Sequence, residues 1–167
     1  AKTAPKRIAY AEGEDLRVLR AVQIAVDEGL AFPILVGRTA VIEANIKKLG
    51  LRLEHGVNIE IVDQEKNPHY EQFADDYYQT MQRKGVTPEY AHREARRRST
   101  LIAAMLVKHG HADGMLCGTY SSYDIHLDFV KNVIGLKEGR STFFTLNALM
   151  LQDRNLFIAD TYVNTNP

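Results

Sequence analysis

The chain is 167 residues long, with 21 lysines and arginines against 21 aspartates and glutamates and a hydrophobic share of 45%. That balance gives no overall electrostatic reason to bind nucleic acid or an anionic membrane, and no apolar run approaches the roughly 20 residues that span a bilayer. Cys117 is the only cysteine, which excludes an internal disulfide framework and any C-x-x-C metal or redox motif.

The start, Ala1 to Lys6, has no Met and none of the apolar stretch of a signal peptide, and reads as a linker. With the lone thiol this leads to the expectation of a cytoplasmic protein. Arg7 to Ala11 reads as a strand, and Asp15 to Glu28 as a helix with Leu16, Leu19, Val22, Ile24 and Val26 on a broad apolar face and Gly29 at its end. Phe32 to Val36 is a near-continuous apolar run, the mark of a strand covered on both faces. Thr39 is a candidate cap for a helix over Ala40 to Leu49, and Ile59 to Val62 is a third strand with Asp63 at its carboxyl end. This alternation predicts a parallel sheet with helices packed on it.

Asn67-Pro68 opens a helical region in which Tyr70, Phe73, Tyr77 and Met81 fall at core-facing spacing, and Gly85 ends it. Thr87-Pro88-Glu89 starts another helix, which carries Arg96-Arg97-Arg98, and Leu101 to Val107 is a further apolar helix. Ala112 to Gly118 reads as a buried strand, followed by a helix from about Ser122 to Ile134. Beyond Leu136, Thr142 to Leu151 and Asn155 to Ala159 read as strands joined by the tight turn Gln152-Asp153-Arg154. Asn164-Thr165-Asn166-Pro167 carries the signature of a helix start, and we expect the sequence to belong to a longer chain.

In an open α/β sheet, ligands sit outside the carboxyl ends of the strands. Glu12 to Asp15, Gly37 to Thr39 and Gly118 to Tyr123 are the loops that qualify. The last offers Thr119, Ser121 and Ser122 at a helix start, suited to a phosphate or carboxylate and equally to ordinary capping. Consecutive arginines point around a helix, so Arg96 to Arg98 reads as a solvated helix end. The six histidines show no metal-ligand spacing, and Asp113 and Asp124 have no acid–base partner that the sequence names.

Taken in order, the stretches AEGEDLRVLRA (11–21), ILVG (34–37), KGVTPEYA (84–91), ADGMLCG (112–118) and IADTYVNTNP (158–167) resemble the phosphate acetyl/butyryltransferase family. The resemblance implies a three-layer α/β/α parallel-sheet domain, most of it within residues 1–136, with residues 137–167 as the opening strands of a truncated second α/β domain. It also implies coenzyme A and acyl phosphate bound between domains, with the catalytic residues beyond this sequence. Ligand contacts are expected at Glu12, Arg17, Gly118, Thr119, Ser121, Ser122 and Asp160. Active members carry an Arg-Pro pair about where Leu127-Asp128 stands, and another arginine where Met81 stands, so weak binding of acetyl phosphate is expected.

Within the family the chain is similar to the phosphotransacetylase-like domain of the hybrid NADP-dependent malic enzymes. That implies a non-catalytic module sensing acetyl-CoA or a related acyl-CoA, assembling a homo-oligomer, and joined to a dehydrogenase domain that uses NADP and a divalent metal. The alternative is an active phosphate acetyltransferase.

Overall fold

The computed structural model describes residues 3–64, 66–159 and 163. They fall into two compact units, residues 1–134 and 135–167. In the first unit, β1 (Lys6–Tyr10), α1 (Leu16–Asp27), β2 (Ala31–Val36), α2 (Thr39–Leu49) and β3 (Glu60–Val62) alternate as strand and helix. Then come α3 (Tyr70–Met81), α4 (Pro88–Arg97), α5 (Ser99–Lys108), β4 (Gly114–Leu116) and α6 (Tyr123–Phe129), which runs on as a π-helical turn over Val130–Ile134.

The strands form one parallel four-stranded sheet in the order β3-β2-β1-β4. The chain lays down β2 and β3 on one side of β1 and then returns to its other side. Such a reversal opens a crevice at the carboxyl ends of the strands.

Side chains alternate across a strand, and β2 shows why both faces must be covered. Ile34 and Val36 join a core with Ala9 and Ala11 from β1 and its end, Phe73 from α3, Ala91 and Ala95 from α4, and Leu101, Ile102 and Met105 from α5. Leu35 faces the opposite way into a second core with Leu19, Val22, Ile42 and Ile46 from α1 and α2. The result is helices on both sides of the sheet, the α/β architecture expected from the alternation of elements.

Local sequence sets the helix starts. Asp15 has extended backbone, and its carboxylate accepts from the amides of Arg17 and Val18 at 2.8 and 3.4 Å. Thr87 accepts from the amide of Tyr90 at 3.2 Å, with Pro88 in the first turn. Asn67 accepts from the amide of His69 at 3.0 Å, one residue before α3. Gly13 lies so close to β2 that a Cβ there would meet the Val36 carbonyl oxygen at 2.8 Å. Its amide donates to that oxygen at 3.1 Å, so the loop after β1 rests directly on the end of β2.

Several expectations are corrected. Ile24 lies outside the apolar face of α1 and is 57% exposed, because Gln23 and Ala25 take the inward positions beside Leu19 and Val22. Thr39 is the first residue of α2 rather than its cap; Arg38 holds the cap position, without a side-chain bond. The strand read as buried over Ala112 to Gly118 is confined to Gly114–Leu116. Among the described residues it is an outer strand of the sheet, with Leu116 54% exposed and Cys117 exposed as well.

In the second unit, β5 (Leu146–Met150) and β6 (Asn155–Ala159) form an antiparallel hairpin, closed by the Leu151 amide donating to the Arg154 carbonyl at 2.9 Å. The strand read from Thr142 thus begins only at Leu146. Phe144, Leu146, Met150 and Phe157 are exposed on this unit. Asp160 and the helix-start signal Asn164 to Pro167 lie outside the described residues. Among those described, no helix is long and apolar enough to cross a membrane.

Leu19 is fully buried, so Leu19→Ala should cost about 2–5 kcal/mol by removing packed methyl groups and leaving a cavity. Ile24→Ala, on the same helix, should stay within about 0.5 kcal/mol. Urea unfolding of the two variants checks this, and equal losses would contradict the orientation of α1.

Candidate functional site

The loops after β1, β2, β3 and β4 converge at the carboxyl end of the sheet around a cavity of about 260 Å³. Glu12, Glu14, Arg38, Gln64 and Tyr120 come from those loops, and Arg96, Arg97 and Ser99 from the junction of α4 and α5. This is where the strand order reverses, the position at which open α/β sheets hold ligands.

Glu12 is buried, and its carboxylate accepts the Gly118 amide at 2.9 Å and the Thr119 hydroxyl at 3.4 Å. A buried carboxylate needs such donors, so Glu12 ties the end of β1 to the loop after β4. Arg17 forms a two-pronged pair with Asp15 at 3.1 and 2.9 Å and reaches the Thr119 carbonyl at 3.4 Å. Its charge is therefore matched locally. Glu12, Arg17, Gly118 and Thr119 meet in one place, as parts that hold the loop in shape.

Ser121 has φ of 74°, a left-handed conformation uncommon for a residue with a side chain, and Gly118 stands at 100°. Ser122 caps α6 by position but makes no side-chain cap bond. The loop is held from below by His126, which is buried. Its Nε2 lies 2.8 Å from the Tyr120 carbonyl oxygen, a group that only accepts, so Nε2 carries the proton. In the neutral ring Nδ1 then accepts from the Thr100 hydroxyl at 2.9 Å. His126, which showed no metal-ligand spacing, thus fastens the loop to α5.

Charge in the cavity is uneven. Arg38 is bound in a two-pronged pair to Glu14 at 2.9 and 2.8 Å, which lowers the Glu14 carboxyl below its ordinary value. Arg96 sits 5.1 Å over the Tyr70 ring, and neither Arg96 nor Arg97 forms an ion pair among the described residues. Gln64 Nε2 is buried without a hydrogen-bond partner. An unspent buried donor beside two uncompensated guanidiniums suits an anionic ligand with several acceptor oxygens. Arg96 and Arg97 are exposed, as a solvated helix end should be, yet they also form this wall. Gln64 had no signal in the sequence.

A second cavity of about 440 Å³ lies on the α6 side of the loop, lined by Cys117, Gly118, Ser121, Tyr123, His126, Leu127 and Val130. Among the described residues no lysine or arginine is in that wall. Although Cys117 is exposed as a residue, partial desolvation of its thiol, with the Glu12 carboxylate next, pushes it up to about 11, which leaves it protonated near neutrality. Met81, standing where an arginine was expected in active members, is packed in the core. Among the described residues no group of three or more His, Cys, Asp or Glu side chains is placed to hold a metal ion.

The sequence model of the phosphate acetyl/butaryl transferase family matches residues 1–167, and the chain belongs to that family. Over its whole length it is 49% identical to a stretch of an NADP-dependent malic enzyme from Haemophilus influenzae and 48% identical to one from Escherichia coli, spanning 22% of each. It is 30% identical to a phosphate acetyltransferase from Nitratidesulfovibrio vulgaris, of which it spans 23%. A phosphotransacetylase crystal structure from Streptococcus pyogenes superimposes on 92% of the chain with a TM-score of 0.78 and 25% identity, the chain covering 46% of it. The chain thus matches a phosphotransacetylase-like part of proteins named malic enzymes, and spans about a fifth of their length.

The pair with the Arg17 side chain, followed by the amides of Arg17 and Val18, lowers the Asp15 carboxyl from 3.8 to about 2. A carboxyl depressed in the folded state stabilises fully above its unfolded value and loses that contribution as pH falls through the folded one. Asp15→Asn keeps the cap acceptor but does not titrate. It should flatten the acid limb of the unfolding curve between about pH 4 and pH 2, and identical limbs in both proteins would contradict the coupling.

Proposed function

We propose that this chain is the acyl-CoA-sensing part of a malic enzyme, binding acetyl-CoA at the carboxyl end of its sheet, promoting a homo-oligomer, and restraining malate oxidation in a dehydrogenase domain elsewhere in the parent protein. On this reading NADP and the divalent metal belong to that dehydrogenase domain. The identities of 49% and 48% to proteins named malic enzymes support the parentage. The exposed apolar residues of the β5–β6 hairpin support burial against another protein surface.

The observation that carries the reading is the separation of charge across the loop from Gly118 to Ser122. On one side Arg96, Arg97 and the unpartnered Gln64 offer an anionic ligand a place to bind. On the other, the wall around Leu127 has no cation to hold the phosphate that acyl transfer requires. Binding without turnover is the chemistry this favours. The cationic cavity and the likeness to a protein named phosphate acetyltransferase favour the second reading, an active acyltransferase with a divergent loop.

Calorimetry of the intact protein should show acetyl-CoA binding, weakened about tenfold by Arg97→Ala through loss of a guanidinium contact to phosphate. Acetyl-CoA should lower the rate of malate-dependent NADP reduction, and Arg97→Ala should blunt that response. Phosphate-dependent acetyl transfer should stay at background. Turnover well above it would overturn the reading in favour of the acyltransferase, in which case Leu127→Arg should add little.

A further inference from the structure

A cavity of about 650 Å³ lies where α3 meets α4. Tyr70 of α3 lines it together with Pro88, Glu89, His92 and the arginines Arg93, Arg96 and Arg97 of α4. Arg96 and Arg97 also line the carboxyl-end cavity, so the two spaces adjoin across this pair of side chains.

The arginines of this wall are held in place without being neutralised. Tyr70 is buried, and its hydroxyl donates to the His92 carbonyl at 2.6 Å, which fixes the ring. The Arg96 guanidinium lies 5.1 Å over that ring, and the Arg93 guanidinium 4.9 Å over the ring of Tyr90. A guanidinium resting flat on a ring keeps its N–H edges free for oxygen acceptors and its outer face free for stacking. Among the described residues no carboxylate pairs with Arg93, Arg96 or Arg97, and all three are exposed.

The nearby carboxylates are engaged elsewhere. Glu89 is the one carboxylate in the wall, and its own backbone amide, then the Thr87 hydroxyl, hold it below its ordinary value at the start of α4. Glu71 and Asp75 of α3 stand 3.6 and 3.7 Å from the ring nitrogens of His92, outside the wall. Three guanidiniums against one carboxylate suit a phosphomonoester, which carries close to two negative charges near neutrality.

A cationic wall shared by two cavities suits a ligand with anionic groups on both sides of it. Coenzyme A has a linked pair of phosphoryl groups and a further one set apart on the ribose of its adenosine. We propose that the α3–α4 cavity seats the phosphoadenosine end of acyl-CoA, with the ribose phosphate accepting from Arg93 and Arg97 and the adenine lying on the Arg96 guanidinium and Pro88. The rest of the ligand crosses the Arg96–Arg97 wall into the carboxyl-end cavity. This subsite rests on the acyl-CoA reading given above, and it makes the ribose phosphate a group by which the ligand is selected.

Calorimetry of the intact protein with acetyl-CoA and with acetyl-dephospho-CoA, which lacks only the ribose phosphate, tests this. Acetyl-CoA should bind about tenfold more tightly. Arg93→Gln, outside the carboxyl-end cavity, should reduce that preference to about twofold or less and leave the affinity for acetyl-dephospho-CoA unchanged. Arg20→Gln removes an exposed arginine of α1 that lies in neither wall, and should keep the preference in full. Adenosine 3′,5′-bisphosphate should compete with acetyl-CoA more strongly than its 2′,5′ isomer, whose phosphate sits as in NADP. The subsite is overturned by equal affinities for the two thioesters, by a full preference in Arg93→Gln, by an equal loss in Arg20→Gln, or by stronger competition from the 2′,5′ isomer. Each of those results leaves the acyl-CoA reading standing, whereas absence of binding by either thioester overturns that reading and the subsite with it.

Discussion

The contact on which the carboxyl end of this sheet depends is the buried Glu12 carboxylate accepting from the Gly118 amide. It lies at the reversal of strand order, joining the end of the central strand to the loop of the edge strand. β1 and β4 share a register of only three residues, Ile8 to Tyr10 against Gly114 to Leu116. Beyond Leu116 the backbone ladder gives the loop no further support except the Ala11 amide on the Leu116 carbonyl. Removing a carboxylate from water is costly, so Glu12 holds its donors tightly, and those donors belong to the loop that shapes both cavities. His126 supplies the opposing tether, from α6 through the Tyr120 carbonyl and on to Thr100. Between the two tethers, Ser121 keeps its left-handed backbone because both ends of the segment are pinned.

The same arrangement divides the described surface around the loop into two kinds. Acyl transfer to phosphate needs donors and cations aimed at one developing charge. Here Arg38 is spent on Glu14, Arg17 on Asp15, and the cations still uncompensated are on the α4 side of the loop. On the α6 side, a protonated thiol, a leucine, a valine and a tethered imidazole surround the space. His126 has both nitrogens occupied, by Tyr120 and Thr100, which leaves it no lone pair or proton to offer a reactant without releasing the loop. The loop is thus held from two sides, and both nitrogens of His126 are engaged in holding it.

Much of this was legible in the sequence, and the reasons are local. Asp15 and Thr87 stand before helices with the side-chain oxygens that caps need, and the alternation of short apolar runs with helical periodicity specifies a parallel sheet. The convergence of Glu12, Gly118 and Thr119 was legible because they follow the ends of β1 and β4, and Arg17 joins them from the first turn of α1. Strand order, however, is not a local property. Met115, Leu116 and Cys117 have the composition of a doubly covered strand, and only the topology shows β4 to be an edge. Ile24 misled for a related reason: an apolar residue between two inward-facing neighbours on a helix need not share their face.

Arg96 and Arg97 illustrate the deeper limit. Three consecutive arginines at a helix end are, by composition, a solvated surface, and Arg98 behaves that way, pairing with Glu94 one turn back at 3.0 Å. The other two line the cavity because α5, buried along nearly its whole length, fixes where α4 ends relative to the strand tips. The cation wall is therefore a product of packing between α5 and the sheet, and nothing periodic in the sequence around residue 96 reports it. Gln64 and Asn67 are read the same way. As loop amides they are unremarkable in composition, and what distinguishes them is that burial has removed the water that would otherwise accept from them. A donor becomes informative only once the fold has withdrawn its solvent, and composition alone does not report that withdrawal.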